Sequence, residues 1–209
     1  MKERPILFSG EMVRSILDGR KSVTRRVVKP QPVLSYRPEL YRAQVDQFGR
    51  CQWRYDDPAQ SDAIAYVRGP DKPSTIRCPH GLPGDRLWVR EAWADLRGKG
   101  FDQEMAYSAD TRPGSDGDNA RLAYGVKWKP SIHMPRRASR ILLEVVSVGV
   151  ELLQEITARE YMLEGFDPKT TVGEAAVAFP VYWDSLNGKR GYSWASNPWV
   201  WRIEFRRLT

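Results

Sequence analysis

In Trp199-Val-Trp-Arg-Ile-Glu-Phe205 the odd positions are Trp, Trp, Ile and Phe while the even ones include Arg202 and Glu204, the alternation of a half-buried strand. Arg86-Leu-Trp-Val-Arg-Glu91 alternates similarly, with Leu87 and Val89 set against Arg86, Trp88 and Arg90. Between Arg140 and Leu152 apolar residues fall on both parities. Leu142, Val146, Val148, Val150 and Leu152 share one, with Glu144 as the exception, and Ile141, Leu143 and Val145 share the other. That predicts a long, largely buried strand. Pro5 to Ser9 reads as a further short strand.

Helical spacing governs other segments. Met12, Val13, Ile16 and Leu17 recur on one face after Ser9, which can cap the helix, and Gly19 ends it. The basic run Arg20-Lys-Ser-Val-Thr-Arg-Arg26 then lies between this helix and a strand starting at Val27-Val28, which Pro30 and Pro32 stop. Thr157-Ala-Arg-Glu160 is a capping box, in which hydroxyl and carboxylate each satisfy a free backbone N–H, so a short helix should run to Gly165 with Glu164 at its end. A second box, Thr171-Val-Gly-Glu174, opens a helical stretch that Pro180 is expected to kink or restart before Tyr182 to Leu186.

Residues 29–80 have poor periodicity apart from a hairpin expected around Gln52 to Tyr55 and Ile64 to Arg68, and they read as an insertion. Leu82-Pro-Gly-Asp85 is a turn, and residues 98–119 read as a second inserted loop. Short strands interrupted by a few helices, with strand-like segments at both ends, predict an α+β fold built as a small mixed β-barrel. With 209 residues, the chain fits one domain, 1–209, better than two.

Hydrophobic residues make up 41% and charged residues 28%, an ordinary globular balance, and no apolar run is long enough to cross a bilayer. A cytoplasmic protein with two reduced thiols, Cys51 and Cys78, is therefore expected. The net charge of +7 favours polyphosphate partners without identifying one. Cys51, Cys78, His80 and His133 are zinc-ligand types, but only Cys78 and His80 are close in sequence, so no metal and no cofactor is expected. Residues Gly81 to Gly84 lack the Lys-Ser/Thr ending of a phosphate loop.

Gly19-Arg-Lys-Ser-Val-Thr-Arg-Arg26 resembles the motif Gly-x-Lys-x-x-(Thr/Glu)-x-Arg of the ASCH family in the PUA-like superfamily, matching at Gly19, Lys21, Thr24 and Arg26. Pro83-Gly-Asp85 before a strand, the capped helix ending Glu164-Gly165, and the closing Trp-x-Ile-x-Phe strand extend the likeness over nearly the whole chain. Within that family the look is nearest to phage- and prophage-encoded members with a Trp-Val-Arg-Glu strand and a Pro-Trp-Val-Trp ending. The resemblance implies a PUA-like β-barrel whose cleft takes RNA or a modified nucleoside. One branch removes the acetyl group from N4-acetylcytidine with a Lys, a Thr three residues later and a Glu at the end of a later helix. By that likeness Lys21, Thr24 and Glu164 are the catalytic candidates: a buried Lys of lowered pKa takes the Thr proton, and Glu orients the Lys or protonates the departing amine.

Arg25, Arg26, Arg90, Arg136 and Arg137, interleaved with Trp88, Trp93 and Trp128 and joined by Gly19 and Glu91, form a candidate ligand-binding constellation. Arg can fork onto phosphate and Trp can stack on an unpaired base, although the same Trp residues serve equally as core and Arg90 and Glu91 as structural ion-pair partners. Three functions use the same cleft: an amidohydrolase on a modified nucleoside, a ribonuclease on single strands, and a non-catalytic RNA or modified-base reader. DNA remains an alternative partner, and the oligomeric state is open.

Overall fold

The computed structural model of the chain describes residues 1–32, 41–55, 64–65, 76–98, 104–167 and 169–208. In chain order these contain β1 (Glu3–Leu7), α1 (Gly10–Leu17), β2 (Val23–Val27), β3 (Tyr41–Val45), β4 (Arg50–Tyr55), β5 (Ile64–Ala65), β6 (Ile76–Arg77), β7 (Arg86–Arg90), β8 (Trp93–Asp95), β9 (Met105–Tyr107), α2 (Asp116–Ala123), β10 (Leu142–Leu152), α3 (Ala158–Leu163), α4 (Val172–Asn187) and β11 (Trp199–Arg207). Short 3-10 turns join several of them. The fold is α+β, and none of its helices is long and apolar enough to cross a membrane among the described residues.

The principal sheet has the order β1-β7-β10-β11-β2, with β1 parallel to β7 and the remaining pairs antiparallel. One of its faces carries the main core, where Ile6, Leu87, Val89, Leu143, Trp201, Ile203 and Phe205 meet Val13 and Ile16 of α1. Cys51, Ile76 and Cys78 join that core from a second sheet of β3, β4, β5 and β6. Val200 turns to the opposite face and packs with Leu153, Ile156, Phe179 and Trp183, so α4 covers the far end of the sheet. β8 and β9 pair as a separate ribbon.

The sheet does not close into a barrel: β1 and β2 are its two edges. It curls enough that a guanidinium N–H of Arg26, on β2, donates to the carbonyl of Leu7, on β1, at 2.6 Å. A side chain thus spans the gap where backbone pairing would complete a barrel, and the outward peptide groups of β2 have no strand partner among the described residues.

Several expectations are met and others corrected. Helix α1 starts after Ser9, whose hydroxyl accepts from the Met12 N–H at 3.4 Å, and Gly19 follows with φ +73°. The basic run is not a connection, because Val23–Val27 is itself the edge strand, with Thr24 paired to Ile203 and Arg26 to Trp201. In β10 a bulge between Val145 and Ser147 shifts the phase, so buried Leu143 and Val145 before it and packed Val148, Val150 and Leu152 after it share one face, while Val146 is exposed. The two parities are therefore one half-buried strand in two registers. Pro180 does not end α4, which runs through it as one helix. Phe179 and Trp183 are both buried on either side, and that burial offsets the hydrogen bond Pro cannot donate, a defect of about 3 kcal/mol.

Residues 29–80 contain the second sheet, including the expected pairing of Arg54 with Ile64, while residues 66–68 lie outside the described ones. The expected loop at 98–119 holds β9 and the start of α2. β9 is a three-residue strand whose register depends on β8, and α2 opens on Asp-Gly-Asp-Asn, all weak helix formers, so neither shows a periodicity of its own.

Candidate functional site

At the open edge of the sheet lies a cavity of about 650 Å³. The end of β1 and the residues after it (Leu7, Phe8, Ser9) form one wall, β2 with Thr24, Arg25, Arg26 and Val27 another, and Phe179, Tyr182 and Trp183 of α4 a third. Because β2 is an edge strand, the cavity reaches both of its faces, with Trp201 and Phe8 on one side and the α4 aromatics on the other.

Lys21 and Glu164 come together because α3 docks end-on against the turn after α1. The last carbonyls of a helix lack intrahelical partners and must find donors elsewhere. Here the Leu163 carbonyl accepts from Ser22 N–H, Glu164 from Lys21 Nζ, and Gly165 from Ser15 Oγ and the Arg20 guanidinium, at 3.0, 2.8, 2.8 and 2.6 Å. Gly165 makes this approach feasible: its φ is +104°, and a Cβ there would lie 2.8 Å from Ser15 Cβ and 2.9 Å from Lys21 Cβ. Gly165→Ala is expected to cost about 2 kcal/mol or more, since the strained φ and the overpacking add. A urea titration checks it, and a loss below about 0.5 kcal/mol would mean that α3 can shift freely.

Lys21 Nζ is fully buried and donates to the Val23 carbonyl at 2.8 Å, the Glu164 carbonyl at 2.8 Å and Glu164 Oε2 at 2.6 Å. Burial holds Lys21 below the ordinary lysine pKa, against the opposing pull of the Glu164 carboxylate. The other oxygen of Glu164 accepts from Arg25 at 3.1 Å. Arg25 is itself buried and also bonds Glu151 and Glu160, while Arg202 bonds Glu160 from β11. Burial raises Glu160, but the Thr157 N–H, Arg202 and Arg25 outweigh it and bring its carboxyl down to about 2. The network keeps Glu164, a cavity-lining carboxylate, in one orientation.

Thr24 is 1% exposed, lines the cavity, and its hydroxyl has no hydrogen-bond partner among the described residues. Buried hydroxyls are almost always paired, so this one is available to a ligand or a water in the cavity. Glu164 lines the same cavity, whereas Lys21 sits behind it. Arg26 also lines it, with its guanidinium 5.1 Å from the Phe8 ring centre.

The second predicted constellation goes elsewhere. Trp88 and Arg90 stack on each other at 5.2 Å, and Arg90 bonds the carbonyls of Met134 and Ile132. Glu91 is buried in a two-pronged pair with Arg140, which also holds Asp110. Trp93 packs in a small core with Met134 and Ala138, Arg136 pairs with Glu3, and Arg137 is exposed. None of these six lines the cavity, and Gly19 serves as the turn ending α1. Alternation put Trp88 and Arg90 on one side of a strand without showing that the segment carrying Ile132 and Met134 takes up Arg90 there. Cys51 and Cys78 carry no disulfide, and burial pushes their thiols up to about 12 and about 11. No group of three metal-ligand residues exists among the described residues.

The sequence reading missed the contribution of α4 and of His80. Phe179, Tyr182, Trp183 and Leu186 recur at helical spacing, which marks a face but not what it faces. His80 lines the cavity, and burial, followed by the nearby charges of Arg26 and Arg4, lowers it to about 4. It therefore carries no charge at neutral pH. The folded state resists a proton that the unfolded chain accepts near 6.5, so His80 withdraws stability as pH falls from there towards 4. With only two histidines in the chain, proton NMR should resolve one imidazole titrating near 4 that His80→Gln removes. A midpoint near 6.5 for the signal that His80→Gln removes would show that His80 is solvated.

Compared with known proteins, the chain matches no family model, no curated protein and no solved structure. The case for a function rests on the site.

Proposed function

We propose that the chain is an ASCH-type, PUA-like protein whose sheet-edge cavity takes up a nucleoside, free or as an unpaired base of RNA, and hydrolyses an N4-acyl amide on it. N4-acetylcytidine is the reference substrate. The observation that carries this reading is the buried Thr24 hydroxyl, without a partner among the described residues, at the wall of an aromatic-lined cavity that also contains Glu164. Phe8, Phe179, Tyr182 and Trp183 provide flat apolar surfaces suited to a base.

The chemistry balances with these groups and water. Lys21, destabilised as an ammonium by burial, passes a proton to Glu164 Oε2 at 2.6 Å and becomes a neutral amine. Through an intervening water it then accepts the Thr24 proton as Oγ attacks the acyl carbon, and the Arg26 guanidinium offsets the oxyanion charge. Protonated Glu164 delivers its proton to the departing N4 amine as the C–N bond breaks. Water then cleaves the Thr24 ester, releasing acetate and restoring the hydroxyl.

A second reading, a non-catalytic reader of the modified base, is favoured by one observation. All three protons of Lys21 Nζ already have acceptors, two of them backbone carbonyls, which suits a structural cap for α3 as well as a base. Incubation of the purified protein with N4-acetylcytidine, followed by chromatography, separates the two. Cytidine and acetate in equal amounts are expected. Binding of the acetylated nucleoside without product would leave the reader and remove the hydrolase.

A further inference from the structure

Two cavities meet at Ser9 and Tyr182, which line both. Their charges differ in sign. The second, of about 1120 Å³ between α1 and residues 108–128, is lined by Arg14, Arg112 and Arg121 against Glu11, Asp18, Asp110 and Asp118. Arg121 pairs with Asp118, Asp110 with Arg140, and Asp18 with Arg20, so no excess positive charge faces its interior. The first cavity is lined by Arg25, Arg26, Lys29, Arg77 and Arg190, with Glu164 as the sole carboxylate among the described residues, and that carboxylate is already engaged by Lys21 and Arg25.

Within the first cavity the cations are sorted by depth. Arg25 is 4% exposed and locked into its carboxylates. Lys29, Arg77 and Arg190 are exposed, and none pairs with a carboxylate among the described residues. Lys29 Nζ lies 5.3 Å from the centre of the Tyr192 ring, which fixes its direction without neutralising it. The aromatic groups are deep and the uncommitted cations are at the mouth. A neutral nucleoside would fill the first and leave the second unused.

We infer that Lys29, Arg77 and Arg190 form a phosphate-binding rim, and that the ligand enters base-first with a phosphate on its ribose held at the mouth. This inference rests on the nucleoside reading of the cavity and names its substrate class as a phosphorylated nucleoside. The phosphate comes from one of two sources, a mononucleotide or the backbone of a single strand, and the charge distribution puts the strand on the Lys29 side rather than through the acid-balanced second cavity.

Binding would be measured by tryptophan fluorescence for four probes: N4-acetylcytidine, its 5′-monophosphate, a three-nucleotide RNA carrying it at the centre, and an abasic ribose-phosphate oligomer. The wild type would be compared with Lys29→Ala/Arg77→Ala/Arg190→Ala, three exposed positions where truncation leaves the core intact. The phosphorylated ligands are expected to bind about 30-fold or more tighter than the nucleoside at low salt, an advantage that falls with ionic strength and disappears in the triple variant while nucleoside affinity is unchanged. A trimer with a steeper salt dependence than the monophosphate assigns the phosphate to a strand; equal dependence assigns it to a mononucleotide. If nucleoside and monophosphate bind equally, the rim is refuted and the base cavity stands. Should neither acetylated nucleoside nor nucleotide bind while the abasic oligomer does so only in the wild type, the base reading fails and the phosphate rim stands. Identical affinities of wild type and triple variant for every probe overturn the rim outright.

Discussion

Thr24→Val is expected to abolish amide hydrolysis while leaving the protein as stable as the parent or more so. The two effects share one cause. The Thr24 hydroxyl is buried without a hydrogen-bond partner among the described residues, and an unsatisfied buried donor carries a penalty of about 1–3 kcal/mol. Valine keeps the shape and removes the polar atom, so the midpoint of urea unfolding should stay put or rise. Removing a nucleophile costs about 10³-fold or more in kcat. Thr24→Ser keeps the hydroxyl and should retain part of the rate. Full activity in Thr24→Val would refute the covalent mechanism. A stability loss above about 1 kcal/mol would instead show that the hydroxyl has a partner in solution, such as an ordered water.

The largest effect on stability is expected at Glu164. Its carboxylate is 5% exposed and neutralises a fully buried Lys21 while sharing Arg25 with Glu151 and Glu160. Glu164→Gln leaves the Lys21 ammonium among backbone carbonyls, and removing one partner of a buried pair costs about 3–5 kcal/mol. Against a typical domain stability of about 5–15 kcal/mol, that approaches unfolding at ambient temperature. The variant should also acquire a pH signature. Burial already lowers Lys21, and without Glu164 nothing charged opposes it. Its folded pKa then lies below the unfolded value of about 10.4, the unfolded chain binds more protons between the two, and stability rises with pH across that window. Lys21→Met in the Glu164→Gln background should recover stability and flatten the pH dependence. A Glu164→Gln protein that loses less than about 1 kcal/mol, with no rise towards pH 10, would show that Lys21 is stabilised by the carbonyls of Val23 and Glu164 alone.

The local elements read well from the chain wherever one face is buried and the other is not. The caps at Ser9, Thr157 and Thr171 are visible because side-chain oxygens satisfy nearby N–H groups within a few residues. β7 and β11 are visible because their alternation survives intact. In β10 a single bulge at Val146 turned one face into two apparent ones, and in α4 the proline rule was overridden by the burial of Phe179 and Trp183, a contribution from other elements. Trp88, Arg90, Glu91, Trp93 and Arg136 illustrate the same limit from the side of function. Their residue types suit a ligand, but partners distant in sequence absorb them: Met134, Arg140, Ala138 and Glu3.

For the site, the sequence alone determined the chemistry available at a helix end and at a motif: an ammonium at Lys21, a hydroxyl at Thr24, a carboxylate at Glu164 ahead of a glycine. Those identities and the local turns around them depend on contacts within a few residues. Only the tertiary structure decided their roles in space. It placed Glu164 between Lys21 and the cavity, left Thr24 without a hydrogen-bond partner among the described residues, brought α4 and His80 in as further walls, and stopped the sheet short of a barrel with Arg26 across the gap. Each of those outcomes depends on which distant segment docks at the edge of β2. Docking is set by the fit of whole surfaces, here the end of α3 against the turn after α1, which a residue pattern specifies on one side only.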